Sequence, residues 1–159
     1  MEFYSEQLLK FGEELPVYKE PLESNRRSKA DTYPLNYFST HTLYRKHSML
    51  ANVGWLKELD PEPVVEMNPV DATARNISSG EIVTVQNDRG KVRVKVKIHE
   101  GIRPGVVNIK QGWWHRDYIE GHHQELTHSE INPAQSAVFE PNMALLDNLV
   151  EVSREGGEE

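Results

Sequence analysis

Val92, Val94, Val96 and Ile98 alternate without a break with Lys91, Arg93, Lys95 and Lys97. A period of two puts every apolar side chain on one face of an extended chain and every cation on the other, so residues 91–98 form a half-buried strand and not an amphipathic helix. Upstream, Ile82, Val83 and Val85 lead into Asn87-Asp88-Arg89-Gly90, a tight-turn sequence in which Gly90 is expected to supply a left-handed position. Residues 81–98 therefore read as a β-hairpin. The basic stripe is either a polyanion site or a plain solvated face, and alternation alone is enough to produce the second.

Other elements are shorter. Residues 35–39 and 64–67, the latter Val64-Val65-Glu66-Met67, read as strands, as does Val106-Val107-Asn108-Ile109 after the turn Ile102-Arg103-Pro104-Gly105. Leu149-Val150-Glu151-Val152 is the last strand. Met49, Leu50, Val53, Leu56 and Leu59 lie at roughly helical spacing, which predicts a helix over 48–59 that Asp60-Pro61-Glu62-Pro63 ends. Asn68 followed by Pro69 is a helix start, because the amide can cap and proline loses no intrahelical bond at the first position. Many short strands with two short helices between them predict a mainly β fold, a closed or nearly closed barrel, in preference to parallel βαβ winding.

The ends read differently. Residues 1–32 form a peripheral arm and linker. Ser5 is placed to cap a short helix through Leu8, Leu9 and Phe11 that Gly12 stops, and the charged stretch 23–31 has little apolar surface to offset ordering entropy. The compact domain is expected over 33–152, with 153–159 an acidic tail.

The 159 residues suffice for one domain with a sizeable core, or for two small ones. A formal charge of −7 argues against nucleic acid as a partner. With no cysteine, thiol catalysis, disulfides and iron–sulfur ligation by this chain are excluded. No run of eighteen apolar residues occurs, so direct membrane insertion by a helix is not expected, and Met1-Glu2-Phe3-Tyr4 lacks the features of a signal peptide.

The polar residues that could carry chemistry gather in Thr40-His41-Thr42-Leu43-Tyr44-Arg45-Lys46-His47-Ser48, at the end of a strand. Strand-end loops are where rigid scaffolds present binding groups, and this mixture of imidazoles, guanidinium and hydroxyls suits an anionic, hydrogen-bonding ligand. No Walker loop or Gly-x-Gly-x-x-Gly occurs, so a phosphate would be held by side chains such as Arg45 and Ser48, with help from amides at a helix start. His122, His123 and His128 form a second cluster, readable as a metal site or as a polar surface loop after Gly121; no His-Glu-x-x-His or facial-triad spacing supports a metal. Trp113 and Trp114 either stack on a planar ring or pack in the core. No Gly-x-Ser-x-Gly elbow marks a serine hydrolase.

Taken in order, Tyr33-Pro34-Leu35, His41-x-x-x-Arg45-x-His47-Ser48, Asn52, Asn68-Pro69-x-Asp71-Ala72, Gly80-Glu81, Asn87-Asp88-Arg89-Gly90, Pro104-Gly105-Val106-Val107 and Gly112-Trp113-Trp114 form a series. It resembles the C-terminal molybdopterin dinucleotide-binding domain of the dimethyl sulfoxide reductase family of molybdenum oxidoreductases, over about residues 33–152. The resemblance implies a six-stranded, closed double-psi β-barrel that grips part of a bis(molybdopterin guanine dinucleotide) cofactor, Mo-bis-MGD. Carried over by position, it implies that His41, Arg45, His47 and Ser48 hydrogen-bond the pterin and phosphate edges, with Thr40 assisting. It places Asn142 in the family's Gly-Asn position, where Pro141 replaces the glycine, and His123 where relatives often carry asparagine.

The same resemblance implies a piece of a larger oxidoreductase acting on dimethyl sulfoxide or another S-oxide, N-oxide or oxyanion, the domain alone not being catalytic. Its partners would be the remaining domains of the parent and an iron–sulfur electron-transfer subunit, with the parent either cytoplasmic or exported. The alternatives are a stand-alone barrel acting as an interaction or chaperone module without cofactor, which would have no use for the His-x-x-x-Arg-x-His-Ser loop, and a metal hydrolase built on the His-rich loops.

Overall fold

The computed structural model describes residues 3–130 and 147–154. Six strands, β1 (Leu35–Phe38), β2 (Val64–Met67), β3 (Ile82–Gln86), β4 (Lys91–Ile98), β5 (Val106–Ile109) and β6 (Asn148–Arg154), close into a barrel in the order β1-β5-β2-β4-β3-β6. β1 runs parallel to β5 and β2 parallel to β4, while the other four contacts are antiparallel. This is the closed double-psi barrel implied by the resemblance.

Alternation decides the interior. Val83, Val85, Val92, Val94 and Val96 all fall in one core cluster with Leu35, Tyr37, Val65, Met67, Val107, Ile109, Val150 and Val152. At about 25 cal/mol per Å² of apolar surface removed from water, burial of these side chains is the dominant favourable term in folding. The cations of β4 find carboxylates on the outer face: Lys91 and Arg93 with Glu120, Lys95 with Glu62, and Lys97 with Glu66.

Helix α1 spans Gly54–Leu59 and α2 spans Pro69–Ala74. Asn68 caps α2 as expected, its Oδ1 accepting from the Val70 N–H at 2.9 Å while its Nδ2 donates to the Ile102 carbonyl. Asp71 then accepts from the Gly105 amide at 2.7 Å, which fastens α2 to the turn before β5.

Several expectations shift. The helix expected over 48–59 starts only at Gly54, because His47 and Leu50 both take left-handed backbone angles that no helix accommodates. Gly90 is not left-handed. A Cβ there would instead press on Glu125, so the glycine serves close approach. The helix at 6–11 is a 3-10 helix whose Ser5 makes no side-chain cap, although Gly12 does end it in a left-handed turn. β6 runs on through Ser153 and Arg154, residues read as the start of the tail.

Charge, not apolar surface, holds the charged stretch of the arm. Glu23 is buried against the barrel, taking both Arg89 guanidinium nitrogens (2.5 and 3.0 Å), Lys29 (3.0 Å) and the backbone N–H of Leu149 (2.9 Å). Arg89 is itself oriented by three bonds to the Leu126 and Asn148 region, two of them to the Leu126 carbonyl.

Candidate functional site

β1 ends at Phe38, and the chain then crosses the barrel rim. Thr40 is the first fixed point. Its N–H and its hydroxyl both donate to Asn108 Oδ1 (3.1 and 3.0 Å), and its carbonyl accepts from the Gln111 N–H (2.9 Å). Asn108 lies on β5, in register with Phe38 of β1 on one side and Glu66 of β2 on the other. Its Nδ2 donates to Glu66 Oε2 at 2.8 Å, and Glu66 also pairs with Lys97 and Lys110. Burial alone would raise the Glu66 carboxyl, but the Asn108 donor and the two lysines outweigh it and hold the group below its usual range.

Asp60, which closes α1, is the second fixed point. Its Oδ2 accepts from the Thr42 hydroxyl at 3.1 Å and from Arg45 Nη2 at 2.8 Å. The Arg45 guanidinium lies 3.5 Å from the centre of the Trp113 ring, and its side chain is only 3% exposed. Arg45 Nε is buried without a hydrogen-bond acceptor among the described residues. An unpartnered buried donor is costly, so an acceptor arriving at this rim meets a ready site.

His41 and His47 stand edge to face with ring centres 5.1 Å apart, and both are exposed together with Ser48. The backbone below them is tight. Gly112 has φ +94°, and a Cβ on it would collide with the His47 carbonyl. Trp113 enters the core, whereas Trp114 is partly exposed under Arg116, 4.0 Å from its ring centre. The core role offered for the tryptophan pair thus falls to Trp113.

The second histidine cluster joins the first through Trp113. His122 Nε2 donates to the Trp113 carbonyl at 3.2 Å, since its Nδ1 accepts from the Gln124 N–H. His123 is buried beside it, with Nδ1 2.9 Å from the Tyr118 hydroxyl and its carbonyl accepting from the Tyr37 hydroxyl. Burial, with a smaller effect from His122, pulls His123 down to about 4, so it is neutral at physiological pH. Burial keeps both tyrosines above their ordinary range and hence protonated.

The structure therefore brings Thr40, His41, Arg45, His47 and Ser48 to one rim, with His123 buried against Tyr118 and His122, and Asn142 outside the described residues. Sequence reasoning missed Asp60, Asn108 and Glu66. A trace of them exists: Glu66 and Asn108 are each a polar residue inside a four-residue apolar strand. Among the described residues no group of three or more His, Asp or Glu converges to hold a metal ion, and no helix is long and apolar enough to cross a membrane.

Comparison with known proteins points one way. Residues 35–139 match the family described as Molydopterin dinucleotide binding domain. The chain is 43% identical over 145 residues to a protein of Halobacterium salinarum named as the catalytic subunit of a dimethyl sulfoxide reductase, and that stretch is 91% of this chain and 17% of the relative. It is 40% identical over 101 residues to the dimethyl sulfoxide reductase DmsA of Haemophilus influenzae, 64% of this chain and 12% of that one. The chain thus spans less than a fifth of the length of these relatives. In fold it is similar to the acetylene hydratase from Pelobacter acetylenicus, with a TM-score of 0.79 at 22% identity over 96% of this chain and 23% of that one.

Proposed function

Because this chain belongs to the molybdopterin dinucleotide-binding domain family, we propose that it holds part of a bis(molybdopterin guanine dinucleotide) cofactor at the rim formed by residues 39–48, within a larger molybdenum oxidoreductase. The observation that carries the reading is the state of Arg45: buried, stacked on Trp113, fixed by Asp60, and left with one buried N–H that nothing accepts among the described residues.

The donor set fits such a group. Two exposed imidazoles, a serine hydroxyl and a guanidinium can meet phosphate and pterin edges with charge-assisted bonds. In this reading His41, His47 and Ser48 bind from the solvent side, Arg45 neutralises from below, and Thr40 with Asp60 keeps the loop in place. Neutral His123 braces Tyr118 and, through the adjoining His122, the Trp113 backbone, so its part is support from beneath. When bound, the cofactor supplies oxygen-atom and electron transfer; the protein orients it and sets its electrostatic surroundings.

The parent's substrate is a small oxo-compound such as dimethyl sulfoxide or another S- or N-oxide, a reading supported by the names of the similar proteins. Its partners are the remaining domains of that polypeptide and an iron–sulfur electron-transfer subunit, whose cluster ligands must come from elsewhere because this chain has no cysteine. Within the chain, residues 1–32 form the arm, and the binding barrel begins at 33 and ends with β6 at Arg154.

The test is cofactor content of the holoenzyme carrying His41→Ala, His47→Ala and Ser48→Ala together. All three side chains are exposed, so folding is spared. The reading expects pterin and molybdenum per polypeptide to fall several-fold at an unchanged melting temperature. Full content in the triple variant refutes it.

A further inference from the structure

Glu66 and Asn108 occupy directly opposed positions on antiparallel β2 and β5. Their neighbours Val65, Met67, Val107 and Ile109 fill the core, so these two side chains stand on the opposite face of the barrel wall. An outward position on a small barrel is normally wet. Both residues nevertheless belong to the buried set, at 5% and 4% exposure. A carboxylate and an amide held out of water in this way are stable only with their bonds completed.

Their bonds run in one direction. Lys97 and Lys110 fix Glu66 (3.6 and 3.4 Å), Glu66 accepts from Asn108 Nδ2, and Asn108 Oδ1 faces the rim with two donors from Thr40. Accepting through Nδ2–H···Oε2 settles which end of the Asn108 amide points at Thr40. A carboxylate opposite can only accept, so the amide nitrogen must face Glu66 and the oxygen must face the loop. Thr40 is left with no free donor of its own, its N–H and hydroxyl both being taken. It therefore serves the loop as an anchor.

We propose that Glu66 and Asn108 are positioning residues for the cofactor loop, fixing through Thr40 where His41 begins and hence where the rim's donors stand. The inference rests on the reading of that loop as the cofactor grip. Glu66 acts at two removes: its oxygen selects the Asn108 orientation, and Asn108 sets Thr40. Position 66 supplies two acceptor oxygens, Oε2 for Asn108 and Oε1 for the two lysines.

The experiment uses the holoenzyme with Asn108→Leu, Glu66→Leu and Glu66→Gln, reading amide hydrogen exchange across 39–48 and cofactor recovered per polypeptide. Losing one or two hydrogen bonds at the anchor should speed exchange of the Thr40 amide by roughly tenfold in the two leucine variants. Cofactor content should fall several-fold in both, while exchange in β3 and β4 stays as in wild type. Glu66→Gln, which leaves one acceptor oxygen for Asn108 and the two lysines to share, should fall between wild type and Glu66→Leu in both readouts. Unchanged loop exchange in Asn108→Leu overturns the positioning role whatever the cofactor content. Faster exchange with full cofactor content overturns the reading of the loop as a cofactor grip, and the proposal with it. Loop exchange and cofactor content at the wild-type level in Glu66→Leu overturn the orientation argument. Should Asn108→Leu fail to fold, Thr40→Val deletes only the exposed hydroxyl's bond and must still accelerate exchange of the residue 40 amide, which remains bonded to Asn108 Oδ1; wild-type exchange there overturns the proposal.

Discussion

Glu23→Gln tests whether the arm is fastened to the barrel by charge. In the wild type, desolvation pushes the Glu23 carboxyl up, but the Arg89 pair, the Leu149 amide and Lys29 outweigh it and hold the group at about 2 against 4.5 in the unfolded chain. A folded-state value depressed by that much corresponds to roughly 3 kcal/mol of stability above pH 4.5, with 2–3 kcal/mol a fair expectation after solvent screening. The sign follows from proton counting. Between pH 4.5 and 2 the unfolded state binds the proton and the folded state does not, so the contribution is complete at neutral pH and drains away as pH falls through that window. Glutamine keeps the shape and removes the charge. Denaturant unfolding at pH 7 should show the variant weaker by about 2–3 kcal/mol, a drop of about 5–10 °C in melting temperature for a chain of this size. The gap between wild type and variant should then narrow from pH 4.5 downward. Equal stability at pH 7, or a gap of constant size from pH 6 to pH 3, refutes the reasoning.

Val94→Asp places an unpaired carboxylate at a position 1% exposed and should cost about 3–5 kcal/mol, visible as a thermal midpoint lowered by ~10 °C or more; an unmoved midpoint contradicts the alternation argument. Gly112→Ala demands both a left-handed alanine and room that the His47 carbonyl occupies, so a loss of about 1–3 kcal/mol is expected, with faster amide exchange in 46–50 and an intact barrel. Wild-type melting and exchange would show that the rim is slacker than its geometry implies. His123 is held at about 4 against 6.5 unfolded, so wild type should lose up to about 3 kcal/mol as pH falls from 6.5 to 4, and His123→Gln should lose less over that window. Parallel curves for the two proteins would place the titration elsewhere.

The sequence shows what local chemistry decides. β3 and β4 could be read from alternation because the same valines that write the pattern also fill the core. α2 could be read because Asn68 and Pro69 act within their own first turn. What stayed hidden depends on contacts far along the chain. The 48–53 stretch has helical spacing, yet His47 is pinned against Gly112 in a left-handed turn, and no local pattern announces that. The charged stretch of the arm looked solvated because Glu23 has no local apolar support; its partners Arg89 and Leu149 lie 66 and 126 residues away. At the rim, His41, Arg45, His47 and Ser48 were legible as a cluster of polar types. Their supports were not, since Asp60, Asn108 and Glu66 are defined only by what they reach.

The order of strands around the barrel also governs how such a chain can be made. β1, the earliest strand, bonds to β6, the latest, and β6 bonds on its other edge to β3. Until residues 148–154 are available, β1 and β3 each present an open edge and the valine interior stays accessible to water. Closure depends on contacts more than a hundred residues apart, which are slow to find and arise last during synthesis. A ribosome that stops short of β6 releases an unsealed sheet, a natural target for chaperones and proteases. Only a chain synthesised through β6 can close the wall on which the loop at the end of β1 is mounted.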